Sequence, residues 1–281
     1  MSLPPLTNLE PTAQELRKAA QVIAALRVLE LEHSPHYLEF SLNVKHEGLS
    51  TAALPMGGDV ILDFQQAAMI VNDPDGKSTA IPLAGHGQAS LFEAVLGMMS
   101  ISEVSTAPAG SRLDALLNTI KVKGRPVVPD RANYSDPTPF TIDRQLAGDY
   151  AEAIYHIFTA IARFRSRLEG SMTPLVVWSE HFDLSFLWFA TETAAESAPH
   201  MNFGFAPFSP GFERPYLYAY AYPLPASYSP PTLPMPARWN TERWTGVVVD
   251  YDELRKADDA ETLIEETCLG IYRSLLKLLQ S

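Results

Sequence analysis

His181, Asp183 and His200 carry the sharpest chemical suggestion in this sequence. A His-x-Asp pair followed by a second His is the order of a two-histidine, one-carboxylate site, which holds ferrous iron or a similar divalent metal. Residues two apart on an extended strand lie about 7 Å apart on one face, so His181 and Asp183 could converge on one ion. His200 would then have to arrive from the start of a neighbouring strand. Ser185 continues the same face and places a hydroxyl near a histidine, the minimum for hydrolysis, although no Gly-x-Ser-x-Gly elbow surrounds it. Downstream, Tyr216, Tyr218, Tyr220 and Tyr222 alternate with small apolar residues. They predict an amphipathic wall of rings and hydroxyls on one strand face, suited to stacking against a ligand or partner. The competing reading packs these rings beneath the proline-rich stretch 223–236. Glu39 adds a carboxylate on the polar face of an earlier strand.

The elements that position these residues show in the hydrophobic periodicity. Pro174–Glu192 is the densest apolar run. It predicts a strand with Phe182, Leu184, Phe186 and Trp188 on one side and His181, Asp183 and Ser185 on the other. Before it, Asp143–Gly170 predicts a long helix whose stripe is Tyr150, Ile154, Ile157, Ile161, Phe164 and Leu168. A first helix runs to about Glu30, opened by a capping box at Thr12 and Glu15. Five strands follow, the first alternating over Tyr37–Lys45 and the last two flanking the Asp73–Gly76 turn. Then come a helix with Phe92, Val95, Leu96 and Met99, a short helix after Ser111, a strand over Ile120–Val128, and a loop over Pro129–Phe140. After Pro174 the pattern predicts strands at about 174–179, 181–190, 201–206, 215–222 and 244–250, and a last helix with Ile264, Cys268, Ile271, Leu275 and Leu278. Both halves thus read helix, about five antiparallel strands, helix. The fold class is α+β: two similar halves, 1–140 and 141–281, each an antiparallel sheet with helices packed on one face, as a duplication would produce.

Composition narrows the function. The chain has 281 residues, 33 acidic against 21 basic, and a formal charge of −12. That balance repels phosphate backbones and argues against a nucleic-acid partner; the densest basic cluster, Arg163, Arg165 and Arg167, lies on a helix beside acids. One cysteine, Cys268, excludes a disulfide framework and a cysteine-based metal site. The first residues lack a signal-peptide pattern and no apolar run is long enough to span a bilayer, so a cytoplasmic protein without a membrane role is expected. Gly57-Gly58 and Gly85-His86-Gly87 are turns, too short to cradle phosphate. Asp59 and Asp63 read as surface acids on a polar strand face.

Blocks along nearly the whole chain resemble a bacterial family known as domain of unknown function 5996. Gln21–Val28, His36–Lys45, Glu47–Thr51 and Pro55–Gly58 carry the likeness early on. Asp136–Phe140, Trp178 with Phe182-Asp183-Leu184, Pro199–Met201, Gly204-Phe205 and Tyr216–Pro225 carry it later. The resemblance implies no established activity, substrate or cofactor. Leu9, Arg17 and Glu39 stand where the family has Trp, His and His, and His181 stands where it has a small residue. Gly204–Gly211 departs from a Gly-Phe-Trp-Pro-Gly block. Asp183 is the member of the polar face that matches the family pattern.

Two functions follow. The first is binding of a small organic ligand or partner segment on a polar, tyrosine-rich sheet face lined by Glu39, His181, Asp183, His200, Tyr216, Tyr218 and Tyr220, with no cofactor. The alternative is a hydrolytic or metal-dependent enzyme in which His181, Asp183 and His200 carry the chemistry, around a divalent ion in the metal version.

Overall fold

The computed structural model describes residues 2–99, 104, 107–108, 110–124, 134–195, 197–225 and 227–279. The fold is α+β, and the pairings between its described strands are antiparallel. The chain forms two compact units. One comprises Pro11–Ala151 with Val177–Phe182; the other comprises Met1–Glu10, Glu152–Val176 and Asp183–Ser281.

The first of these units holds most of α1 (Leu9–Glu30) and the meander β1 (Ser41–Lys45), β2 (Gly48–Ser50), β3 (Asp59–Asp63), β4 (Ala68–Asn72) and β5 (Ser78–Pro82). Register explains its two faces. Val44 pairs with Leu49, Leu49 with Leu62, Leu62 with Met69 and Met69 with Ile81, so one apolar row crosses all five strands. The expected Tyr37–Lys45 strand begins later, because Pro35–Phe40 is a 3-10 turn in which His36 and Tyr37 take positive φ. Glu39, only 2% exposed, closes that turn by accepting bonds from the Ser34 amide, the Ser34 hydroxyl and His33 Nδ1. Helices α2 (Gln88–Met98) and α3 (Arg112–Val122) follow. The strand expected over Ile120–Val128 is corrected in its first part, since Ile120–Val122 ends α3; its remainder from Arg125, and Pro129–Asn133 of the expected loop, lie outside the described residues.

Helix α4 (Arg144–Ser166) contributes Tyr150, whose ring stacks on Phe64 and meets Phe182. β6 (Val176–Trp178) pairs its Val177 and Trp178 with Leu42 and Ser41 of β1. Phe182 does not continue the strand that follows it. Its φ of 57° ends a turn, and its side chain belongs with Phe64 and Tyr150.

The second unit is built on β7 (Asp183–Phe189), β8 (His200–Ala206), β9 (Tyr216–Tyr222), β10 (Arg238–Asn240) and β11 (Gly246–Asp250), hydrogen-bonded in the order β10-β11-β9-β8-β7. Helices α5 (Tyr251–Leu254) and α6 (Ala260–Leu279) end the chain. Leu184, Phe186, Met201, Phe203, Phe205, Leu217, Val247 and Val249 are all buried, and Phe164 of α4 packs on Phe186 and Phe203. Burying each such ring contributes about 1.5–3 kcal/mol. The basic cluster of α4 is largely matched by α6: Arg163 pairs with Glu261 and Glu265, and Arg167 with Glu265 and Glu266. Cys268 is buried, which pushes its thiol up to about 12. β10, which periodicity does not reveal, is three residues long and follows the proline-rich stretch.

Candidate functional site

Alternation along β7, β8 and β9 leaves one face of these strands for polar and aromatic residues. Register arranges them in rows across the strands. One row runs Ser185, Gly204, Tyr218, Val248; the next runs Leu187, Asn202, Tyr220; the last runs Phe189, His200, Tyr222. At the other end, Tyr216 stands between Ala206 and Asp250, in line with Asp183 at the head of β7.

Tyr218 is the centre of this face. Its phenol donates to Asp183 Oδ2, two strands away. It can span that distance because β8 offers Gly204 at the crossing: a methyl there would lie 2.5 Å from both Cζ and Oη of Tyr218. A glycine in mid-strand marks such a close approach. Burial first, and the adjacent Asp183 charge next, hold the Tyr218 phenol well above its ordinary value. It is a permanent donor, and the Asp183 carboxylate, 9% exposed, its acceptor.

The neighbouring rings are fixed in different ways. Tyr216 stacks on Phe212 with centroids 4.1 Å apart and shares a 2.6 Å hydroxyl bond with Ser209. Burial raises its phenol; the Ser209 bond works against that and the Asp183 charge adds to it. Tyr220 accepts a 3.1 Å bond from Asn202 Nδ2. The other amide atom, Asn202 Oδ1, is buried with no hydrogen-bond partner among the described residues. Trp244 reaches over Gly246, where a methyl would meet its ring at 2.3 Å, and stands nearly perpendicular to Tyr218 and Tyr220. Aromatic cover over the Tyr216 end therefore comes from Phe212 and Trp244. The proline-rich stretch docks on α6 instead, with Pro234 at Gly270 and the Thr232 carbonyl bonded to Ser274.

The residues proposed from sequence are distributed unevenly. Asp183, Tyr216, Tyr218 and Tyr220 gather as described. His200 lies on the same face but pairs with Phe189, six residues along the strand from Asp183, or roughly 20 Å at strand rise. It donates Nδ1–H to the Ala198 carbonyl at 2.8 Å. His181 is exposed in the turn before β7. Register therefore does not bring His200 to Asp183. Among the described residues no three His, Cys, Asp or Glu side chains group as metal ligands. Glu39 serves the 3-10 turn already described.

Gly204, Asn202 and Trp244 were not singled out by residue type. The mid-strand glycine was the available signal for the first, and Gly246 for the third. A further polar cluster in the first unit was also silent in the sequence. Glu180 accepts from Gln21 at 3.3 Å, Arg17 donates to the Glu180 carbonyl at 3.2 Å, and Gln88 bonds Gln21 at 3.2 Å. Burial, with Glu180 beside it, raises the Tyr134 phenol.

An antiparallel sheet with helices on its apolar side and an aromatic, carboxylate-bearing opposite face defines an α+β protein with one chemically distinctive surface. The model of a family of unknown function, DUF5996, matches residues 2–278, and the chain belongs to that family. No curated protein and no solved structure matches it. Among the described residues no helix is long and apolar enough to cross a membrane.

Proposed function

We propose that the protein binds a small organic ligand on the tyrosine-rich face of β7, β8 and β9. The observation that carries this reading is the Asp183–Tyr218 pair, held across the Gly204 notch. A carboxylate and a phenol kept at low exposure cost folding energy through desolvation. That expense is ordinary at a binding site and unusual on a merely wetted sheet face. Asn202 Oδ1 supports it as an acceptor awaiting a donor. The partly exposed rings of Tyr220 and Trp244 supply apolar contact beside it. We further propose that the chain arose by duplication of an α+β half, a reading supported by antiparallel strands and helices in both units, and that it is cytoplasmic.

Ligand-observed NMR with a fragment library tests the proposal. Fragments should bind the wild-type protein and lose at least tenfold in affinity for Gly204→Ala, which displaces Tyr218. Fragments that bind both forms equally, or an absence of any binder, would overturn it.

A further inference from the structure

We propose that α6 and Trp239 form a seat for proline-rich peptides in the polyproline II conformation, and that residues 231–234 of the chain itself fill that seat in this structure. The seat shares no residue with the tyrosine-rich face. Composition makes its occupant stiff. A proline fixes its own φ and restrains the residue before it, so Pro230, Pro231 and Pro234 restrain every residue of 229–234 except Thr232. Residues 228–234 form neither helix, strand nor turn, and polyproline II is the conformation such a sequence favours. A segment of this kind has no internal hydrogen bonds, so its carbonyls take donors from outside.

The contacts read that backbone. Trp239 donates its indole N–H to the Pro231 carbonyl at 3.0 Å. The Ser274 hydroxyl meets the Thr232 carbonyl at 2.9 Å and shares its proton with the Gly270 carbonyl at 3.1 Å. The Pro234 ring fills the gap left by Gly270, one helical turn before Ser274; a methyl there would lie 2.8 Å from that ring. The Tyr228 ring lies 6.2 Å from that of Trp239. An aromatic donor to one carbonyl, a hydroxyl to the next and a notch for a proline ring three residues on are the means by which aromatic surfaces take Pro-x-x-Pro segments. Pro231 and Pro234 have that spacing.

The occupant lies on the surface. Among the described residues of 223–237 none is buried, and Met235 is 84% exposed. The connection between β9 and β10 also reaches the length, about 12–15 residues, beyond which loops without secondary structure are uncommon and usually functional. A tethered segment acts at an effective concentration on the order of millimolar. The chain's own prolines therefore mask the seat from a free peptide until they are weakened.

Fluorescence anisotropy with the labelled peptide Ser-Pro-Pro-Thr-Leu-Pro-Met-Pro, copied from residues 229–236, tests the proposal on the full chain. The variant carrying Pro231→Ser and Pro234→Ser should bind the peptide about tenfold more tightly than wild type, because its own segment vacates the seat. Adding Gly270→Ala to that variant should weaken binding about tenfold by closing the notch. A peptide with serine in place of both copied prolines should not bind. Circular dichroism checks each fold, and Pro234→Ala alone is a milder variant that should change affinity in the same direction. Equal affinity of wild type and the double variant, binding indifferent to Gly270→Ala, or no binding to any form overturns the proposal. So does unfolding of Pro234→Ala, which would make the segment part of the core and not the occupant of a seat.

Discussion

Tyr218 and Asp183 owe their meeting to a residue with no side chain. Placing a methyl at position 204 would set it 2.5 Å from the Tyr218 phenol and 2.7 Å from the Leu184 carbonyl. Gly204→Ala should therefore destabilise the protein by about 1–3 kcal/mol in chemical denaturation, and Tyr218→Phe by about 1–3 kcal/mol through the acceptor it leaves. In the double variant the two losses should not add, because both remove one contact. The phenol also sets an alkaline limit. Its folded value is raised, so its contribution to stability is complete below the ordinary value of 10.0 and is lost as pH rises through the higher folded value. Ultraviolet titration should show several fewer phenols ionising near pH 10 in folded wild type than composition gives, because Tyr134, Tyr216, Tyr218 and Tyr272 are all raised, and Tyr218→Phe should reduce that deficit. Glu39 acts in the opposite direction. Burial raises its pKa, but the bonds from His33, its own backbone and Ser34 outweigh that and leave it below 4.5. Its stabilising contribution is present above 4.5 and lost as pH falls through the folded value. Glu39→Gln should flatten the acid limb of stability against pH; an unchanged limb would show that Glu39 does not set it.

At the scale of elements, the strands β7 to β9 were legible where alternation was strict. Tyr216–Tyr222 and Leu184–Trp188 announce their faces through period two, and the long helices through period 3.6. Legibility failed where local hydrogen bonds override pattern. The Tyr37–Phe40 alternation looks extended, yet Ser34 and His33 bond Glu39 and wind the segment into a turn. Phe182 fits the apolar alternation of β7, but its positive φ sends it to Phe64 and Tyr150. The site was half legible: residue type marks Asp183 and the tyrosines, but only register reveals that His200 is far from Asp183 and that Gly204 lies between the pair. Pro234 against Gly270 offers a test of the proline-rich connection. Alanine in place of glycine in a helix interior normally stabilises by about 1 kcal/mol. Here the added methyl would lie 2.8 Å from the Pro234 ring, so Gly270→Ala should instead lower the melting temperature. A rise would show that the stretch does not dock on α6 as described.

Among the described residues, one surface concentrates the chemistry. The ion pairs between the end of α4 and α6 neutralise basic side chains, and the part-buried Glu180 cluster holds α1 to the turn before β7. Neither offers partly exposed rings beside a buried carboxylate. The family match over residues 2–278 takes in both units, so the Asp183–Tyr218 face lies within the part of the chain that defines the family. The most direct measurement of its role is an NMR titration of protein with carbon-13 tyrosine rings against the fragment binders. Shifts in Tyr218 and Tyr220 should saturate together, with Tyr134 and Tyr150 of the other unit unmoved. Shifts elsewhere with Tyr218 and Tyr220 unmoved, or no saturable shift at all, would contradict the binding reading.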